Sequence, residues 1–390
     1  MPSQHATLSA SGSHRWLHCT PSALLEKDVP DSGSDYAREG SLAHAYCARN
    51  LKDFLGLSTK DEGIEIEELA DYHTDEMAGH VEAYTDIVLG KFEEAKKTTP
   101  DAQLMVEQTL DFRQYIPKGF GTADAVIIAD GLMEVIDFKY GKGVEVSAIA
   151  NSQMMIYALG AYERFSDEYR IERIRMTIVQ PRIGNLSEYE LAIDALQVWA
   201  KDILVPAAQK AIKGEGEQIA GDWCQFCKVK CQCKALAKRC TEDFDAFQEE
   251  GDKVELMTNE DIAKLLPKLA DIKKWAEAVG EYALDRALKG DTFEGFKLVE
   301  GRSIRKITDK EAAVDKLTAE GFDADNLYKP KELKGITDLE GIVGKKKLAQ
   351  LLEGILVKPQ GKPTLVPESD KRPPFSSSSA ESDFESITND

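Results

Sequence analysis

Residues 121–140 read GTADAVIIADGLMEVIDFKY. Two apolar, β-branched runs flank Asp130-Gly131, and that dipeptide between alternating segments predicts a tight hairpin. With Asp130 and Gly131 at the centre, facing residues are those equidistant from the turn, which sets Asp124 opposite Asp137. A symmetric lengthening of the loop leaves this pairing unchanged. Facing side chains on one sheet face have Cβ atoms about 4.5–5.5 Å apart, and like charges there repel. Val126, Ile128, Met133 and Val135 share the face, so the carboxylate pair sits against buried surface. Two ionised carboxylates in such a place need a cation, or one must take up a proton.

Lys139 lies two residues past Asp137 and so falls on the same face. One lysine neutralises one carboxylate. Two aspartates and a lysine at this spacing suit a hard divalent cation, with the lysine orienting or deprotonating a water. Mg²⁺ takes one or two carboxylates, keeps several waters and binds phosphate oxygens with the remaining positions. The chemistry implied is metal-assisted attack of water on a phosphodiester. A purely structural Asp–Lys ion pair accounts for one aspartate and leaves the second unexplained.

Outward from the hairpin, LMVEQTLDF at 104–112 alternates as a strand, and RIRMTIVQP at 173–181 reads as another. Helices are expected over 41–56, with Ser41 as N-cap after a break at Gly40, and over about 77–97, 148–165 and 194–212. Helices, hairpin, helix and strand in this order describe an α/β core with a mixed sheet. Beyond a cysteine-rich block ending near 243, a long amphipathic helix starts after Thr258 and stops at Gly290. FKLVEGRSIRKI (296–307) reads as a short hairpin and GKKKLAQLLEGIL (344–356) as a helix. From Pro367 the chain is rich in Pro, Ser and acidic residues and is expected to be disordered. The expected organisation is a core at 1–243, a mainly helical accessory region at 244–366 and an acidic tail at 367–390.

The 390 residues are 42% apolar and 30% charged, enough to bury a core of domain size. No run approaches the roughly 20 apolar residues of a membrane span. Residues 1–16 lack an apolar leader stretch, so a cytoplasmic protein is expected. The 49 basic residues against 69 acidic give a net charge of −20, which argues against holding nucleic acid by bulk electrostatics. Local basic groups remain: Lys228, Lys230, Lys234, Lys238 and Arg239 surround the cysteine block and fit a phosphate backbone or a solvated helix face. Arg302, Arg305, Lys306 and the lysines at 345–347 add weaker hints.

Five of the seven cysteines, Cys224, Cys227, Cys231, Cys233 and Cys240, fall in that block. Clustered thiols in a reducing compartment read as metal ligands before disulfides. Cys224 and Cys227 with two of the other three fit a local zinc site. Four thiolates equally fit an iron–sulfur cluster, and spacing alone does not separate the two.

GTADAVI, VIDFKYGKG and QMMIYALGAY together resemble the signature of the PD-(D/E)XK nuclease superfamily in its RecB-like branch. That branch includes helicase-associated nucleases and CRISPR adaptation exonucleases. Gly40/His44, Asp124, Asp137/Lys139 and Gln153/Tyr157 match its elements in order, over roughly residues 14–240. The whole chain resembles a phage- and prophage-associated family of this type. The resemblance implies a restriction-endonuclease-like fold. It also implies a metal held by His44, Asp124 and Asp137, Lys139 serving the water, and Gln153 and Tyr157 shaping the site. Glu107, on the preceding strand, is a further candidate ligand. Branch members with a cluster carry one cysteine before the core and a C-x2-C-x5-C set after it. Cys19 with Cys224, Cys227 and Cys233 reproduces that arrangement and implies a [4Fe–4S] cluster, with Zn²⁺ the alternative. Cys231 is an extra thiol inside the last gap.

The expected activity is therefore a Mg²⁺- or Mn²⁺-dependent deoxyribonuclease, an exonuclease, in phage-type recombination or DNA end processing. Its expected partners are DNA and a single-strand annealing or single-stranded-DNA-binding protein. The competing expectation is a catalytically silent scaffold of the same fold that binds DNA or a recombination partner.

Overall fold

The computed structural model of the chain describes residues 6–30, 33–245 and 258–299, with a few single positions beyond. The tail from 367, Arg302, Arg305 and Lys306 lie outside the described residues, as does most of the helix expected over 344–356. Contacts divide the chain into two compact units, Met1–Arg286 and Ala287–Asp390.

The first unit opens with α1 (Ser13–His18), α2 (Ser22–Leu25), α3 (Asp35–Phe54), α4 (Lys60–Glu68) and α5 (Met77–Thr98). The strands β1 (Gln103–Asp111), β2 (Phe120–Ala129) and β3 (Gly131–Phe138) follow. Then come α6 (Ser152–Phe165), β4 (Ile171–Gln180) and β5 (Asn185–Ala192). A helical run of α7 (Ile193–Trp199), a π-turn (Ala200–Leu204) and α8 (Val205–Ala211) leads to α9 (Lys234–Asp245) and α10 (Asn259–Leu288).

The five strands form one sheet in sequence order, antiparallel except for the parallel β3–β4 pair. That parallel pair requires a crossover, which α6 supplies. Period-two side chains feed two cores. Val126, Ile128, Met133 and Val135 pack with α6, α7, the π-turn and α8 through Met154, Leu159, Leu196, Leu204 and Ala208. Ala125, Ile127, Ile136 and Phe138 pack on the other face against Leu42, Val81, Tyr84 and Val88 of α3 and α5. The result is a three-layer α/β/α core with a mixed sheet.

The hairpin has the expected register: Ala125 pairs with Ile136, Val126 with Val135 and Ala129 with Leu132. Gly131 takes the left-handed turn conformation, at φ +80°. Regular β2–β3 pairing stops at Ala125–Ile136, while Asp137 and Phe138 go on pairing with Ile178 and Val179 of β4. The two strands of the hairpin thus part company at the aspartates.

Three local readings differ. The helix expected to start at Ser41 starts at Asp35, capped by Ser34, whose Oγ accepts from Ala37 N at 3.1 Å. Gly40 lies inside it, where one glycine is too weak to break a helix held by its buried face. Asn185–Ala192 is an additional edge strand. Residues 296–299 carry no strand, and the rest of that expected hairpin is outside the described residues.

Candidate metal centre and cysteine cavity

Asp124 stands where β2 leaves β3. Its Oδ2 accepts from the Phe138 amide at 2.7 Å, so a side chain replaces the lost ladder bond. Its Oδ1 faces His44 Nδ1 of α3 at 3.3 Å. Across the other edge of β2, Val106–Ala125 and Gln108–Ala123 are regular pairs, and Glu107 between them is not. Glu107 adopts φ +49°, a left-handed conformation that a glutamate rarely takes and that clusters at functional sites. His44, Glu107 and Asp124 each present one ligand atom within 4.8 Å of the others. Opposite ligands around Mg²⁺, with bonds of about 2.1 Å, lie about 4.2 Å apart, so small side-chain adjustments close this set on an ion.

Asp137 is buried at the end of β3. Lys139 Nζ lies 3.0 Å from its Oδ2, and Gln153 Nε2 donates to its Oδ1 at 3.0 Å. Lys139 Nζ also donates to Gln153 Oε1 at 3.3 Å. The lysine contact is an ion pair without the direction of a hydrogen bond, which leaves the buried Oδ2 without a hydrogen-bond partner. A buried carboxylate oxygen shared with a lysine, beside a nitrogen–oxygen donor set, fits a hard divalent cation.

Burial opposes the charge on His44, but the Asp124 carboxylate overrides it and pushes the imidazole up to about 9. Burial and then Asp124 push Glu107 up to about 8. Asp124 itself is held below the usual carboxylate range: burial works against its charge, and His44 and the Phe138 amide outweigh it. Burial raises Asp137 in spite of Lys139, with Asp124 adding to the rise. Lys139 is raised, since Asp137 outweighs its burial. Without metal, His44 and Glu107 therefore hold protons near neutral pH that a divalent cation would displace.

The centre draws on both helical layers. His44 reaches it from α3, and Gln153 and Tyr157 from α6, whose start is fixed by Asn151 Oδ1 accepting from Gln153 N at 3.1 Å and Met154 N at 3.3 Å. Tyr157 is buried, and burial followed by Asp137 raises its phenol. A Cβ at Gly121 would come within 3.0 Å of Tyr157 Cε1, so the glycine of the GTAD segment makes room for that ring.

The structure thus brings together all six residues expected here: His44, Asp124, Asp137, Lys139, Gln153 and Tyr157. Asp137 lies outside the 4.8 Å group, and Glu107 completes it. In the sequence Glu107 stands out less than the aspartates, because the β1–β2 connection, 112–119, is too long to give a register by symmetry.

Cys19, Cys224, Cys227 and Cys233 line one cavity of about 320 Å³, and Cys231 is not among its described lining residues. Arg15 Nε donates to Glu26 Oε2 at 2.7 Å, and Glu26 Oε1 accepts from Lys228 N at 2.5 Å, tying the first two helices to the cysteine loop. Burial pushes the Cys227 thiol up to about 12 and raises Cys224 as well. Among the described residues no three of these sulfurs lie within 4.8 Å of one another. That is wider than the edge of about 3.8 Å set by zinc–sulfur bonds of about 2.3 Å. Cys47 and Cys240 are buried.

The profile of the family described as "Protein of unknown function (DUF2800)" matches residues 5–373. The chain belongs to this DUF2800 family. Among solved structures the DUF2800 chain is similar to SSO0001, at 16% identity over 56% of this chain and 95% of that one, with a TM-score of 0.24. It is also similar to a protein described as "Putative exonuclease" from Eubacterium rectale, at 11% identity over 65% of this chain and 92% of that one, with a TM-score of 0.34. Similarities this distant decide nothing about chemistry, which follows from the side chains of the DUF2800 chain itself. Among its described residues no helix is long and apolar enough to cross a membrane.

Proposed function

We propose that this DUF2800 chain is a Mg²⁺- or Mn²⁺-dependent deoxyribonuclease that hydrolyses phosphodiester bonds. The observation that carries the reading is the gathering of His44, Glu107 and Asp124 within 4.8 Å beside the Asp137–Lys139 pair. His44, Glu107 and Asp124 would hold the ion, with Asp137 Oδ2 as the neighbouring carboxylate oxygen. Bound there, the ion supplies Lewis acidity and activates water toward phosphorus. Lys139, fixed by Asp137 and Gln153, presents its ammonium to the water or to a phosphate oxygen. Tyr157 and Gly121 set the wall on the α6 side.

A [4Fe–4S] cluster on Cys19, Cys224, Cys227 and Cys233 is the better reading of the second cavity. The four thiols line one space, and their spread exceeds a zinc tetrahedron. Its role would be to clip residue 19 to residue 233, closing a long loop whose entropy it removes from the unfolded chain. The resemblance to helicase-associated nucleases extends the proposal to exonuclease action in phage-type recombination or DNA end processing. A single-strand annealing or single-stranded-DNA-binding protein would then deliver the substrate.

The test is incubation of the full chain with Mn²⁺ and end-labelled linear or closed-circular DNA. Shortening of the linear substrate with sparing of the circle is expected, and in Asp137→Ala the linear substrate should stay intact as well. A cluster-loaded protein that cuts neither substrate would overturn the proposal. The net charge of −20 and the acidic α4 segment KDEGIEIEE, whose Glu65 lies near His44, favour the second reading, a silent scaffold. DNA binding with no turnover is its signature.

A further inference from the structure

Away from the metal centre, Tyr46, Arg49 and Asn50 of α3, Ala78 and Val81 of α5 and His73 in the turn before α5 enclose a recess of about 170 Å³. Tyr46, Arg49 and Asn50 are spaced i, i+3 and i+4, so one helix face presents all three. The Arg49 guanidinium lies over the Tyr46 ring at 4.9 Å, and the His73 ring meets that ring edge-on at 5.9 Å. A guanidinium seated over a ring at this distance is held by the ring and still has N–H groups to offer an acceptor. Among the described residues, Arg49 makes no ion pair, and the side chains of Arg49, Asn50 and His73 have no hydrogen-bond partner. That is unexpected in a chain with 69 acidic and 49 basic residues. Arg15 pairs with Glu26, Arg173 with Glu190 and Arg182 with Glu39 in the same core.

A guanidinium fork, a carboxamide and an imidazole converging on a half-open recess match a group with several oxygens and negative charge. The volume equals that of roughly five to six waters at about 30 Å³ each, enough for a phosphate group and a little water. The recess is also joined to the centre by two short segments. α3 carries both His44 and Tyr46, and His73 precedes Thr74, whose Oγ1 is 3.4 Å from the Tyr140 hydroxyl, next to Lys139.

We propose that the recess formed by Tyr46, Arg49, Asn50 and His73 is a phosphate-binding pocket, and that it takes a backbone phosphate of the strand being cut. Its identity as a phosphate pocket stands on its own residues, and only the choice of a nucleic-acid strand as the source rests on the nuclease reading. Arg49 is the charged anchor, Asn50 and His73 add directional donors, and Tyr46 holds the guanidinium in place.

The test uses the full chain in EDTA. Inorganic phosphate is titrated while the His73 ring resonances are followed, and a fluorescein-labelled oligothymidylate is followed by anisotropy, in wild type, Arg49→Leu and Asn50→Ala. Phosphate should shift the His73 resonances and compete with the oligonucleotide. Arg49→Leu should weaken both ligands about tenfold or more, and Asn50→Ala by less. Phosphate binding without oligonucleotide binding would keep the pocket and assign it to a free phosphate-bearing small molecule. No response of His73, or phosphate affinity unchanged in Arg49→Leu, would overturn it. Cleavage is scored separately with Mn²⁺. A His73 response in a protein that cuts no DNA removes the nuclease reading alone, and cleavage without that response removes the pocket alone.

Discussion

The side-chain amide of Gln153 donates to Asp137 Oδ1 at 3.0 Å while its carbonyl accepts from Lys139 Nζ at 3.3 Å. One α6 residue therefore holds both members of the Asp-x-Lys pair. Gln153→Ala leaves them free to rotate, and kcat should fall about 10- to 100-fold, the usual effect of removing a partner that orients a metal-site side chain. KM should change little. Single-turnover and steady-state kinetics on linear DNA with Mn²⁺ check this, and an unchanged kcat would remove Gln153 from the positioning role.

The metal-free protein should lose stability as pH rises. His44, raised to about 9, contributes stability that is complete below its ordinary pKa of 6.5 and is lost as pH passes 9. Glu107, raised to about 8, keeps in the folded state a proton that the unfolded chain releases above 4.5. Both slopes have the same sign, so the melting temperature in EDTA should fall between pH 4.5 and 9. Mn²⁺ displaces those protons and should raise it most at the alkaline end. Thermal melts across that range, with and without Mn²⁺, measure both effects.

Gly121 has no left-handed backbone to explain it, and its role is space for Tyr157. Gly121→Ala puts a methyl 3.0 Å from the ring, and overpacking of this kind costs about 1–3 kcal/mol. Urea denaturation should show the loss as a lower midpoint with an unchanged slope. A variant as stable as wild type would mean that the ring moves aside at no cost.

The hairpin is legible because its turn has two residues: the midpoint sets the register, which holds as far as Ala125–Ile136, while the regular facing of Asp124 and Asp137 is lost because the strands part just beyond that pair. Glu107 was harder to place, since a long connection hides its register and its left-handed backbone breaks the strand pattern. Asn185–Ala192 escaped notice because an edge strand half exposed along its length lacks the apolar alternation of a core strand. Gly40 resembles a stop, so the sequence points to Ser41 as the start of α3, six residues after its first residue, Asp35. The true cap, Ser34, precedes a polar first turn with no apolar period to mark it. His44 was found by resemblance, since no spacing rule connects a helix residue to a strand so far along the chain.

The cysteine cavity separates two nearby thiols. Cys233 lines it and Cys231 does not. Anaerobically prepared Cys233→Ala should lose the visible absorbance of an iron–sulfur centre and melt at lower temperature, while Cys231→Ala should keep both. The reverse pattern would exchange the ligand, and zinc found in place of iron by elemental analysis would replace the cluster.

Mn²⁺ binding to the full chain, measured by titration calorimetry beside Asp124→Ala and Glu107→Gln, tests most directly whether α3, β1 and β2 enclose an ion. Saturable binding that disappears in Asp124→Ala and weakens in Glu107→Gln by about tenfold or more is predicted. Binding of equal strength in all three proteins, or none in wild type, would contradict it.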